Sequence, residues 1–156
     1  MRINFCDLEI GDDGLIKLVK EKGVNYQIDM CNSPEKMTGL VNNLLNANKK
    51  ATEHMYLICF NNALLPIAIF TISIGTDVRT IIDMKGIFQR ILLSGGNHFA
   101  LIHNHPSGNN KPSADDISTC QQVFDCSKLL GIRMLDFLIV AKEKYYSFSN
   151  EDLVLE

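Results

Sequence analysis

The sequence predicts an α/β fold, a mixed β-sheet packed between helices. Three observations lead there. Apolar residues recur at helical spacing in three separate stretches. Between them lie short runs rich in Ile, Val and Phe, of strand length. The two kinds of segment alternate along the chain, as layered α/β architectures require.

Taken in order, residues 15–30 mix Leu15, Ile16, Leu18 and Val19 with charges and read as a leading strand and turn. Ser33-Pro34-Glu35 reads as a helix start: a capping residue, proline at the first helical position, and an acid near the positive end. Met37, Leu40, Val41, Leu44 and Leu45 carry that helix to about Asn48. Residues 53–75 read as a β-hairpin with Asn61-Asn62 at the turn, and Pro66 predicts an edge or a bulge where the second strand begins. Asp83 can cap a second helix through Ile87, Phe88, Ile91 and Leu92, stopped by Gly95-Gly96. Phe99 to Ile102 is a short buried strand running into a polar loop over 103–112. A third helix starts at Ser113, turns Ile117, Cys120, Val123, Phe124 and Leu130 inward, and ends near Gly131. Met134 to Val140 and Tyr145 to Phe148 complete the strands.

Composition bounds the class. A chain of 156 residues fits one domain, taken as 1–156, and buries a core without disulfide staples. No apolar run reaches membrane-spanning length, and Met1 to Asp7 lacks the apolar core and cleavage site of a signal peptide. The expectation is a cytoplasmic protein with no membrane partner. The five cysteines are odd in number and show no C-x-x-C pairing, so nothing points to a disulfide framework or a cysteine metal site. Net charge is −3 and the longest basic run is Lys49-Lys50, so the balance weighs against direct nucleic-acid binding.

The chemistry concentrates in residues 103–116. His103 and His105, two apart at a strand end, point to one side. Two neutral imidazoles and the carboxylate of Asp116 make a three-ligand zinc set that leaves a position for water. The intervening loop, with Pro106, Gly108 and Pro112, is long enough to bring the next helix back over the strand end. Each piece has a plain alternative. A bare H-x-H can be a polar strand terminus, Ser113-x-x-Asp116 can be only a helix start, and Glu53 can be a solvated charge before a strand. Contiguous His103-Asn104-His105 is no sign of the HNH nucleases, whose letters spread over a whole ββα unit.

Together, H-x-H-x7-S-x2-D with a Glu opening a strand about fifty residues upstream resembles the JAMM signature of the JAB/MPN metalloproteases. The flanks are similar to the RadC-like branch: His-Asn-His-Pro-Ser-Gly at 103–108, Glu53-His54-Met55-Tyr56, Ser73-Ile74-Gly75-Thr76, and Leu130-Gly131-Ile132 leading to Leu135-Asp136. The resemblance covers roughly residues 14–150. It implies a three-layer, cytidine-deaminase-like (JAB/MPN) fold and a Zn2+ site held by His103, His105 and Asp116. It also implies Glu53 as general base and later proton donor, and Ser113 as the hydrogen-bond donor to the oxyanion. The implied activity is cleavage of peptide or isopeptide bonds in a peptide or protein substrate by a metal-activated water. The alternative it implies is a binding module of DNA repair or mobile-element biology that keeps the metal for structure or partner contact.

The chain departs from the branch in two places. Asp83-Met84-Lys85-Gly86 stands where His-Pro-Arg-Glu is usual, and Asp136-Phe137 where Asp-His is usual. The expectation is a chain without the helix-hairpin-helix extension of longer relatives, and the easiest argument for DNA contact goes with it.

Overall fold

The computed structural model describes residues 1–75 and 82–151. Strands β1 (Arg2–Ile10) and β2 (Ile16–Asn25) precede helix α1 (Pro34–Leu45), followed by the hairpin β3 (Glu53–Phe60) and β4 (Pro66–Gly75). Helix α2 (Met84–Ser94), β5 (His98–Asn104), α3 (Ala114–Leu130), β6 (Arg133–Ala141) and β7 (Lys144–Ser147) complete the order. Among the described residues seven strands join one mixed sheet, β2-β1-β4-β3-β5-β6-β7, so the expected α/β architecture is the one observed. The string Ser73 to Thr76 ends one residue outside the described segment. No helix among the described residues is long and apolar enough to cross a membrane.

Strand periodicity explains the layers. Along β3, Met55, Leu57 and Cys59 pack with Ile87, Phe88 and Ile91 of α2 and with Cys120 and Val123 of α3. The alternate residues Tyr56, Ile58 and Phe60 pack with Met37, Leu40 and Val41 of α1 on the opposite face. Strand β5 divides the same way, with Phe99 and Leu101 on the α2/α3 face and Ala100 and Ile102 on the α1 face. The sheet is thus a middle layer with a core on each side.

The helix punctuation acts as read. The Ser33 hydroxyl accepts the Lys36 N–H, and the Asp83 carboxylate accepts the Gly86 N–H at 2.9 Å. Gly131 ends α3 in the left-handed region at φ 66°, where a residue without Cβ meets no steric penalty. Pro66 opens β4 beside a register shift, so the bulge is realised rather than an edge.

Three boundaries differ from the sequence reading. Residues 2–10 form a strand that the sequence did not announce, and the leading strand expected over 15–30 is the second one. Strand β1 is buried on both faces at Ile3, Phe5 and Cys6, then runs out as a ribbon paired only with β2, so neither half alternates cleanly. Helix α1 closes at Leu45 because Asn46 turns left-handed at φ 51°, and a 3-10 turn takes Ala47–Lys49. Strand β5 continues past Ile102 through His103 and Asn104, held by pairing with Ile139 and Val140 of β6.

Candidate metal centre

Strand parity and register bring the candidate residues together. His103 lies two residues beyond Leu101 and so projects toward the α2/α3 face. Glu53 lies two before Met55 and projects the same way. Met55 pairs with His103 across β3 and β5, which sets Glu53 next to the histidines at one end of the sheet. Helix α3 starts over that end, with Asp116 in its first turn.

His103 sits between two carboxylates: its Nδ1 is 3.0 Å from Asp116 Oδ1 and its Nε2 is 3.4 Å from Glu53 Oε2. His105 Nε2 is 3.4 Å from Asp116 Oδ2, and the two imidazole rings stand perpendicular with centroids 4.9 Å apart. The other nitrogen of His105, Nδ1, lies 2.9 Å from the Asn109 carbonyl. With a metal held, a protonated Nδ1 donating there would leave Nε2 free to ligate, the arrangement by which a protein usually orients a ligating imidazole; without one, Nε2 faces the Asp116 carboxylate. The turn that aims this carbonyl passes through Gly108 at φ 83°.

Asp116 serves the helix as well. Its Oδ2 accepts from the Ser113 N–H and hydroxyl, both at 2.7 Å, while the Ser113 Oγ accepts the Asp116 N–H at 3.1 Å. This is a complete capping box. Burial opposes ionisation of Asp116, but hydrogen bonds from His103, His105 and Ser113 outweigh it and hold its carboxyl far below the usual range. Reciprocally, the hydrogen bond to Asp116 raises the His105 pKa against the opposing effect of burial, with help from the Asn109 carbonyl and the charges of Asp116 and Glu53. The Asp116 side chain is 7% exposed and the Glu53 side chain 50%, so one carboxylate is walled in and the other faces solvent.

Among the described residues, Glu53, His103 and His105 each offer a ligand atom within 4.8 Å of the others, a cluster that could hold a metal ion. Asp116 touches both histidines from the protein side. All five sequence-predicted residues therefore lie in one place, with Ser113 joined to the site through Asp116.

Two contributors were missed: the Asn109 carbonyl, which has no side-chain signature, and Asn104, which is buried and bonds to the backbone of Thr52 and His54 on either side of Glu53. A polar residue closing an apolar strand, two before a proline, was the available signal for Asn104. Phe137, where the usual histidine is replaced, is fully buried with its ring 5.1 Å from that of Phe148 and contributes packing. Its neighbour Asp136 is buried too and accepts from the Ser147 hydroxyl at 2.6 Å.

A layered α/β sheet carrying two histidines and two carboxylates at one end is the architecture of a JAB-type domain. The model of the RadC-like JAB domain matches residues 31–153, and the chain belongs to that family. It is 33% identical to a UPF0758 protein of Coprothermobacter proteolyticus over 71% of this chain and 46% of that one. A UPF0758 protein of Clostridium acetobutylicum is also 33% identical, over 78% of this chain and 52% of the relative. The chain spans about half the length of the curated relatives it matches.

Proposed function

We propose that this chain is a zinc-dependent hydrolase of the JAMM type that cleaves peptide or isopeptide bonds. The observation that carries the reading is the split between the two carboxylates. Asp116 is buried against both imidazoles, as a ligand would be, while Glu53 stands half-exposed on the far side of His103. The donor set fits zinc, which takes imidazole nitrogen and carboxylate oxygen in sites that keep one position open.

When bound, zinc would supply Lewis-acid activation of a water and of the scissile carbonyl. The protein's own residues do the rest. His103, His105 and Asp116 hold the ion. Glu53, open to solvent, takes a proton and later returns it to the leaving nitrogen. Ser113 keeps Asp116 in place, and its hydroxyl is the candidate donor to the developing oxyanion. The competing reading, a binding module that keeps the metal for structure, needs the ligands but has no use for a carboxylate at 53.

Glu53→Gln separates the two. The carboxamide is nearly isosteric but cannot take a proton, so cleavage should fall by roughly two to four orders of magnitude. Zinc content should hold, and stability should shift by at most about 1 kcal/mol because the Glu53–His103 contact is half in solvent. Substrates come from a screen of peptides and ubiquitin-like fusions. Loss of zinc in Glu53→Gln would make Glu53 a ligand instead of a base. Failure of zinc-loaded wild type to cleave anything in the screen would favour the binding module.

A further inference from the structure

Strands β3 and β5 pair antiparallel with Met55 opposite His103, and continuing that register sets Glu53 opposite His105. Two backbone groups flank Glu53 and face β5: the carbonyl of Thr52, just before β3, and the His54 N–H. In an unbroken ladder the His54 N–H would donate to the main-chain carbonyl of residue 104, and the Thr52 carbonyl would accept from the N–H of residue 106. Residue 106 is proline and has no N–H to give. The ladder between β3 and β5 ends at the Met55–His103 pair, while the His105 N–H, which alternation points the other way, continues the pairing with β6 by donating to the Val140 carbonyl at 2.8 Å.

One side chain fills both places. Asn104 Oδ1 accepts the His54 N–H at 2.5 Å, and Asn104 Nδ2 donates to the Thr52 carbonyl at 3.1 Å. Asn104 is 2% exposed, so its two bonds are shielded from competing water. A carboxamide has the donor and the acceptor of a peptide group on one planar unit. Aspartate would set an acceptor against the Thr52 carbonyl, and an apolar residue would leave both backbone groups unpaired.

We infer that Asn104 is the positioning residue for Glu53: its carboxamide takes the place of the two ladder bonds that the main chain of residues 104 and 106 does not make, one of which Pro106 cannot make, and fixes the strand end on which Glu53 stands opposite His105. The functional meaning of this placement rests on Glu53 being the proton carrier proposed above. A glutamate on a frayed strand end would sample many positions relative to His103, and a misplacement of about 1 Å can cost on the order of a hundredfold in rate.

The test uses the full chain with Asn104→Ala. Backbone amide exchange by NMR should show the His54 amide exchanging at least about tenfold faster, with Leu57 and Ile58 deeper in β3 unchanged. Zinc content should stay at the wild-type level. On a cleaved substrate, kcat should fall on the order of a hundredfold with KM nearly constant. That loss should vanish when Asn104→Ala is made in the Glu53→Gln background, which a general structural defect would not do. Unchanged His54 exchange, or an equal kcat loss in both backgrounds, would overturn the inference. If the alanine chain does not fold, Asn104→Asp keeps the shape and the acceptor for His54 but lacks the donor to Thr52. Its kcat loss should show the same dependence on Glu53, and an equal loss in both backgrounds would again overturn it. If wild type cleaves nothing, the hydrolase reading has failed, and the exchange of His54 still decides whether Asn104 holds this strand end.

Discussion

Ser113→Ala tests whether helix cap and metal site are one mechanical unit. The substitution removes two interactions at once: the acceptor for the Asp116 N–H at 3.1 Å and the hydroxyl donor to Asp116 Oδ2 at 2.7 Å. Loss of an N-cap side chain costs about 1 kcal/mol. Loss of the donor adds up to about 1 kcal/mol more, because the same oxygen keeps the Ser113 N–H at 2.7 Å. For a chain of this length each kcal/mol moves Tm by about 2–4 °C, so a loss of about 1–2 kcal/mol should lower the melting point by about 2–8 °C. Thermal unfolding followed by circular dichroism, on metal-free and zinc-saturated protein, reads this directly. Zinc stoichiometry should not change, since no ligand atom is removed. A rate loss of about a hundredfold or more, measured well below Tm, would identify the hydroxyl as an oxyanion donor in addition. An unaltered Tm in the metal-free protein would refute the coupling of cap and site.

Further expectations concern the metal and the surface. Purified protein should carry about one zinc per chain, and His103→Ala, His105→Ala and Asp116→Ala should each lose it by elemental analysis; a chain that stays metal-free after reconstitution would sink the zinc reading. Because the hydrogen bond to Asp116 raises the His105 pKa, protons should compete with zinc at higher pH than for an ordinary imidazole. Chelator competition should therefore show affinity declining as pH falls through that raised value. In metal-free protein the sign is opposite for the two partners: the raised pKa of His105 stabilises below its unfolded value, and the depressed pKa of Asp116 above its own. Their pair should stabilise the metal-free fold most between about pH 4 and 6.5, seen as the largest Tm gap to Asp116→Asn in that window. Duplex DNA should bind weakly, with affinity falling steeply as salt rises, given the net charge of −3; tight sequence-selective binding at physiological salt would reverse that expectation.

The sequence was most readable where a residue's local chemistry and its long-range role coincide. Ser113 and Asp116 announce a helix start by themselves, and the same geometry carries Asp116 to the histidines. The apolar run from His54 to Phe60 announced a strand, but which of its alternate residues share a face with Glu53 is visible only in the packing. Readability failed where a strand is defined by its partners. Strand β1 has little pattern of its own because half of it is buried on both faces and half is ribbon. The end of β5 was placed too early because His103 and Asn104 look like loop residues until β6 pairs with them. The Asn109 carbonyl could not be read from residue type at all, since every residue has one.

The hairpin of β1 and β2 also decides which backbone the sheet shows to other molecules. The matched family region starts at residue 31, and the hairpin before it lies over β4 through the parallel rungs Asn4–Ala68 and Phe5–Ile69. Without it, β4 would be an outermost strand with an apolar row of Ile67, Ala68, Ile69 and Phe70 and unpaired amides, a template for further strands. With it, the outermost strand on that side is β2, which carries Lys17, Lys20 and Lys22 and has an irregular register against β1. Charge and irregularity of this kind discourage strands from stacking edge to edge. The first thirty residues thus act as a guard against aggregation, and a chain trimmed to the matched region should lose solubility before it loses its histidines.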